Sequence, residues 1–213
     1  SGDRAALNLS HVKSSDLTRG TVLATQDCLR PSNRILANIS MTNSTDWIIK
    51  NKQRLRFHIG TSEILGRVSG KKLEKGQSGN VIIDLESPVA VAMDDRFVVR
   101  SYSPMDTIAG GLVIDPKPVG KWSVLRHRTD NLPIDPKERF GYLIDEDWKT
   151  PKSREKWQML FFISKEILQS WMVEIHVLES ESGILYSESG LEKGKKDLKS
   201  YFDDIYEKNP FRS

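Results

Sequence analysis

Arg96-Phe-Val-Val-Arg-Ser-Tyr-Ser-Pro-Met-Asp-Thr-Ile-Ala-Gly-Gly-Leu-Val-Ile-Asp115 is the stretch that decides how this chain is read. Two short apolar runs, 97–99 and 112–114, flank a polar turn that ends in a Gly-Gly pair. The first run opens on Asp-Arg at 95–96 and closes on Arg-Ser at 100–101. β-branched and aromatic residues bounded by Pro, Asp and Gly predict two strands joined as a hairpin. Its small residues would let a ligand come close to the backbone.

Working outward, residues 1–115 carry the same grammar throughout. Strand-like runs fall at Ala5–Leu9, Thr21–Thr25, Arg34–Thr42, Arg54–Ile59, Glu63–Val68, Asn80–Leu85, Arg96–Val99 and Leu112–Ile114. Gly20, Pro31, Gly60, Gly76, Gly79 and Pro88 punctuate them. Leu55-Arg56-Phe57-His58-Ile59 alternates, which predicts Leu55, Phe57 and Ile59 inward and the basic pair outward. Many short strands separated by turns predict a closed or sandwiched barrel.

The grammar changes after residue 115. Residues 116–135 hold Pro116, Pro118 and Pro133 and read as a linker, with Pro136 placed for a first helical turn. Phe140, Leu143, Ile144 and Trp148 then share a helical face, and Leu160, Ile163, Ile167, Leu168 and Trp171 mark further helices. Ser164 is a candidate N-cap. Met172–Leu178 and Ile184–Tyr186 read as two strands around Glu181-Ser182-Gly183. Leu191, Leu198, Tyr201, Phe202 and Ile205 mark a last amphipathic helix. The expected fold is multidomain: an all-β barrel followed by a mainly α, winged-helix-like domain.

Composition narrows the function classes. No run of about 18 apolar residues occurs, so no membrane-spanning helix is expected. The first residues carry no secretory pattern, and Cys28 is the single cysteine, so a reducing, cytoplasmic setting is expected. One cysteine and four scattered histidines give no metal-ligand spacing. Residues 1–115 hold 15 Lys and Arg against 12 Asp and Glu, whereas residues 116–213 hold 17 of each. Lys117, Lys121, Arg126 and Arg128 follow one another without an acid between them. Such a collar suits a polyanion, because Lys and Arg neutralise phosphates and release counterions. It also suits a solvated linker.

Several motifs, taken in order, resemble the selenocysteine-specific branch of the elongation factor Tu superfamily. Gly2-Asp-Arg-Ala-Ala-Leu-Asn-Leu is similar to the closing strand of that family's domain two, and Thr18-Arg-Gly-Thr-Val-Leu-Ala to the start of domain three. Phe57-His-Ile-Gly-Thr-Ser-Glu-Ile-Leu-Gly-Arg-Val, Pro88-Val-Ala-Val-Ala-Met-Asp-Asp and the hairpin quoted first continue it to about residue 116. The resemblance implies an end of domain two at 1–11, a domain-three barrel at 12–116 and a basic linker at 117–135. It further implies a winged-helix-like domain at 136–190 and the start of another at 191–213. Gly-x-x-x-x-Gly-Lys-Ser/Thr occurs nowhere, nor does Asn-Lys-x-Asp, so GTP and magnesium are expected only in a GTPase domain outside this sequence, with no cofactor and no catalysis on it.

The resemblance implies a monomer that meets selenocysteinyl-tRNA and the ribosome, with a messenger RNA hairpin held by further C-terminal domains. It places His58, Gly60, Thr61 and Arg67 toward the T side of the tRNA, and Arg100, Ser101, Ser103, Thr107 and Gly110 as a second backbone-binding cluster. Lys117, Lys121 and Arg126 extend it along the connector. The bland readings stand beside these. His58 and its neighbours can be plain barrel surface, Arg100 can pair with Asp94, Asp95 or Asp106, and Trp122 can pack on the barrel in place of stacking a base. Arg96 is expected to be structural. Trp157, Phe161, Phe162 and Trp171 are expected in a core, the helix at 164–170 is too poor in cations to read a groove, and Glu174 and His176 on one strand lack a nucleophile. The rivals are another translational GTPase of the superfamily and a protein–protein adaptor.

Overall fold

Along β2, Arg54–Ile59, the residues Leu55, Phe57 and Ile59 are buried while Arg54, Arg56 and His58 face the other side. This is the expected alternation, and it sets the inside and outside of the molecule. A computed structural model of the chain describes residues 5–25, 28–29 and 31–208. In it, β1 Ser32–Met41, β2, β3 Ser62–Gly70, β4 Ser78–Val89, β5 Arg96–Arg100 and β6 Thr107–Asp115 are all antiparallel. They close in the order β1-β4-β3-β2-β5-β6, so the barrel leaves no free sheet edge. Ala5–Leu9 and Thr21–Thr25, expected as strands, carry none. They are short apolar runs with no partner strand to satisfy their backbone. Residues 1–4, from the expected end of domain two, lie outside the described residues.

The decisive hairpin is β5–β6, with Phe97 opposite Gly111 and Val98 opposite Gly110. Its two glycines differ. A Cβ at Gly111 would meet the Phe97 ring at 2.1–2.7 Å, whereas one at Gly110 would meet nothing within 4 Å. Gly111 therefore makes room for a core aromatic, and Gly110 leaves a bare patch of outer surface.

On β1, β4 and β6 both faces are apolar. Ile35, Ala37 and Ile39 fill the barrel, while Leu36, Ile82 and Ile114 point out of it yet are buried. Such strands need a cover. It begins in the connector, where the expected linker carries helix α1, Trp122–Asn131. Leu125 and Leu132 close over the outward residues. Beyond it come α2 Pro136–Glu146, α3 Arg154–Phe161 and α4 Lys165–Glu174, capped by the side chains of Asp135, Ser153 and Ser164. The wing, β7 Leu178–Glu179 and β8 Leu185–Tyr186, precedes α5, Glu188–Lys208, which starts three residues before the expected boundary at 191. The strand expected at Met172–Leu178 is corrected. Leu168 and Met172 share a buried helical face, so α4 runs on to Glu174 and only Leu178–Glu179 is strand. Phe140, Trp157, Phe161 and Trp171 form an aromatic cluster in which Phe140 meets Trp157 and Phe161 edge-on and Trp171 at a tilt, with centroids 5.3–5.9 Å apart, whereas Phe162 is corrected to an exposed position at the helix end with φ 52°.

Two buried guanidinium groups hold the cover to the barrel. Arg139 of α2 is fully buried, donates to the Ile134 carbonyl at 2.7 Å and grips both oxygens of Asp94 at 2.6 and 2.7 Å. Arg128 of α1 reaches Asp115 at 2.8 Å, Glu146 at 2.6 Å and Asp147 at 3.4 Å. Asp94 sits in the β4–β5 turn at φ 66°, a conformation that Asp tolerates better than most residues.

Two outcomes follow for stability. Gly111→Ala should lose about 1–3 kcal/mol through overpacking against Phe97 while Gly110→Ala stays near neutral, as read from urea-unfolding midpoints. Arg139→Leu should lose about 3 kcal/mol by leaving Asp94 without its partner. An unchanged midpoint for Arg139→Leu would show that the cover is held by apolar contact alone.

Candidate nucleic-acid interface

The outward residues of β2, β3 and β5 meet on one face because of register. Arg54 stands opposite Arg67, and Arg56 opposite Arg100. Arg34 of β1 joins the row through Asp84, which lies opposite both Arg34 and Arg67. Like charges set side by side cost energy unless acids intervene. Here they do. Arg34 bonds Asp84 at 2.6 Å, Arg54 forks onto Glu86 at 2.6 and 2.7 Å, and Arg56 pairs with Glu63. The forked bond from Arg54 holds the Glu86 carboxyl below the ordinary carboxylate range, and the Arg67 charge adds to it.

Two arginines of this row, Arg67 and Arg100, have no carboxylate partner among the described residues. Arg67 is exposed and donates only to the Lys52 carbonyl, at 3.3 Å. Arg100 contacts the Met105 sulfur at 3.7 Å, and its Nε is buried without a partner. Exposed rings bracket the row. Tyr102 lies 5.2 Å from the Arg54 guanidinium, and Trp122 lies 4.9 Å from Lys52 Nζ and 5.7 Å from Arg34. Cations with free donors beside exposed rings are the equipment for phosphates and unpaired bases.

Residues 34–119 match the family model described as the β-barrel domain of the selenocysteine-specific elongation factor. The barrel is similar to the one that selenocysteine-specific elongation factors carry. The chain is 34% identical over 132 residues, 61% of its length, to a selenocysteine-specific elongation factor of Desulfomicrobium baculatum, and it spans 20% of that protein. A crystal structure of a bacterial selenocysteine-specific elongation factor aligns over 95% of this chain and 32% of its own, with a TM-score of 0.70 at 20% identity. That likeness carries the fold through the barrel and into the helices that follow.

In this barrel the expected site residues fall into three groups. Arg67 and Arg100 share the basic face described above. His58 is outward on β2, 3.9 Å from Glu63, and Gly60 (φ 55°) and Thr61 form the exposed turn that follows, where Arg19 Nε donates to the Thr61 carbonyl at 3.2 Å. Ser103, Thr107 and Gly110 are exposed at the β5–β6 end. Ser101 is corrected. It is fully buried, and its hydroxyl ties the loop to the Pro104 carbonyl and the Asp106 amide, so it shapes the turn and offers nothing outward.

The connector splits as well. Lys117, Lys121 and Arg126 are exposed, but Arg128 belongs to the buried junction. Of the expected partners of Arg100, Asp94 holds Arg139, Asp95 accepts from the Ala92 amide at 2.8 Å, and Asp106 forms no ion pair with it among the described residues. Arg96, expected as structural, is exposed on β5. Glu174 ends α4 and bonds Lys137 and Ser170, while His176 follows at φ 55°, so the two do not share a strand. In the helical part Lys149, Lys152 and Arg154 are paired with Asp197, Asp147 and Glu179. Arg34, Arg54, Lys52 and Tyr102 were missed by sequence reasoning. Only the outward phase of β2 hinted at Arg54, and the cross-strand register that gathers the others is not written locally.

The pairing of Glu86 can be checked by carboxyl NMR. Arg54→Gln should raise the Glu86 midpoint toward the ordinary value of about 4.3. Since the folded pKa lies below the unfolded one, the contribution of the pair is complete above that ordinary value and fades as the pH falls through the depressed one.

Proposed function

We propose that this chain is the RNA-facing part of a selenocysteine-specific elongation factor, in which the barrel grips the backbone of selenocysteinyl-tRNA. The observation that carries it is the pair Arg67 and Arg100, two guanidinium groups free of carboxylates on the outer face of a barrel of that family. Around them Arg34, Arg54 and Arg56 are already neutralised, so the free charges are set at chosen points, as phosphate contacts that fix a register are. Exposed Gly110, Thr107 and Ser103 lie beside Arg100 and let a phosphate approach the backbone.

The helical unit serves as a spacer between the tRNA side and whatever reads the messenger hairpin, because the cations around its third helix, Lys149, Lys152 and Arg154, are spent on its own acids. The same reading places GTP, magnesium and hydrolysis in sequence beyond these residues, and the chain at the ribosome in the cytoplasm as a monomer.

Binding to selenocysteine tRNA, with an elongator tRNA as competitor and over a salt series, tests this. Each of Arg67→Ala and Arg100→Ala should lower the slope of log affinity against log salt by about 0.9, one phosphate contact apiece. Binding that is indifferent to both substitutions, or to salt, would remove the barrel face from the interface.

A further inference from the structure

Beside the basic face, where barrel and α1 meet, lies a cavity of about 420 Å³. Lys52, Lys71 and Arg126 line it against a single carboxylate, Asp130, which is held by Lys71 at 2.8 Å. Trp122 forms a further part of its wall and is 39% exposed. In the same lining Ser69 is only 3% exposed, and its hydroxyl has no hydrogen-bond partner. A buried hydroxyl without a partner is rare in a folded protein and asks for a ligand or an explanation.

We propose that this cavity is a nucleotide pocket, taking one base with its phosphate. The chemistry converges on that class. Neither Lys52 nor Arg126 is ion-paired among the described residues, since Asp130 is held by Lys71 with the Arg126 charge only nearby, which leaves both for an anion. The indole offers a flat face that tolerates any base. Lys52 Nζ now stands 4.9 Å from that ring, a contact that is weak at an exposed site and can be exchanged for a phosphate. Ser69 then supplies one donor or acceptor to a base edge or a ribose. A cavity of this size is suited to a ligand no larger than a single nucleotide. Arg67 donates to the Lys52 carbonyl, so the pocket opens next to the free arginines. The nucleotide is therefore an unpaired one of the bound RNA. That source rests on the function proposed above, whereas the pocket itself does not.

The test is a titration followed on the five tryptophan indole N–H signals by NMR, the four besides Trp122 reporting that the fold is intact. The probes are the four nucleoside monophosphates, an unstructured tetranucleotide and inorganic phosphate. Saturable shifts of the Trp122 signal are expected with the nucleotides, stronger with the tetranucleotide, and far weaker with phosphate. Lys52→Gln and Arg126→Gln should each weaken binding about tenfold. Ser69→Ala, which leaves no polar group unpaired, should keep the fold and weaken binding about fivefold.

No Trp122 shift at millimolar nucleotide in a folded sample overturns the pocket, as does an equal response to phosphate. Monophosphates that bind as tightly as the tetranucleotide uphold the pocket but make its source free nucleotide. Nucleotide binding together with no tRNA binding would sink the proposed function and leave the pocket standing.

Discussion

The outer wall of the barrel at β1, β4 and β6 is apolar, and covering it is the requirement from which the rest of the architecture follows. Leu36, Ile82 and Ile114 would otherwise face water, and each large aliphatic side chain left exposed forgoes about 1.5–3 kcal/mol. α1 exists where a plain linker would have sufficed for connection, because Leu125 and Leu132 must be laid on that wall. The aromatic cluster of the helical unit then extends the same seam, so a single apolar layer is shared between two units that would otherwise be separate domains.

Apolar contact alone does not set an angle, and the arginines do. Arg139 and Arg128 are withdrawn from water, which is costly, and they are tolerated because each meets a carboxylate fixed on another element. Their donors point along defined lines, so rotation of the cover would break several charge-assisted bonds at once. The geometry of the junction also decides what remains for function. The acid at 94 is consumed there, which removes one of the partners that Arg100 could have taken.

Much of this was legible in the chain. Alternation at 55–59 marks the inside of the barrel, Ser164 at an N-cap and Pro136 at a first helical turn mark helices in place, and the ordered motifs of residues 57–115 carry the likeness to selenocysteine-specific elongation factors. Other parts were hidden for physical reasons. α1 carries no strong apolar stripe and follows two prolines, so its sequence reads as linker until the wall beneath it is known. Trp171-Met172-Val173 is as apolar as a strand, and only the spacing back to Leu168 betrays the helix. Arg128 looked like one more cation of a collar, since nothing local tells that Asp115 and Glu146 converge on it. The basic face is a product of register, and register is a property of the closed sheet.

The seam between barrel and helices has one more implication. A hinge needs intermediate positions of similar energy, and this joint offers none: a partial opening would strand two guanidinium groups in a half-dry gap, with neither their acids nor full hydration. The joint is therefore a latch. The strand-built and helix-built portions turn together as one lever, and any flexing has to occur at some other point along the protein.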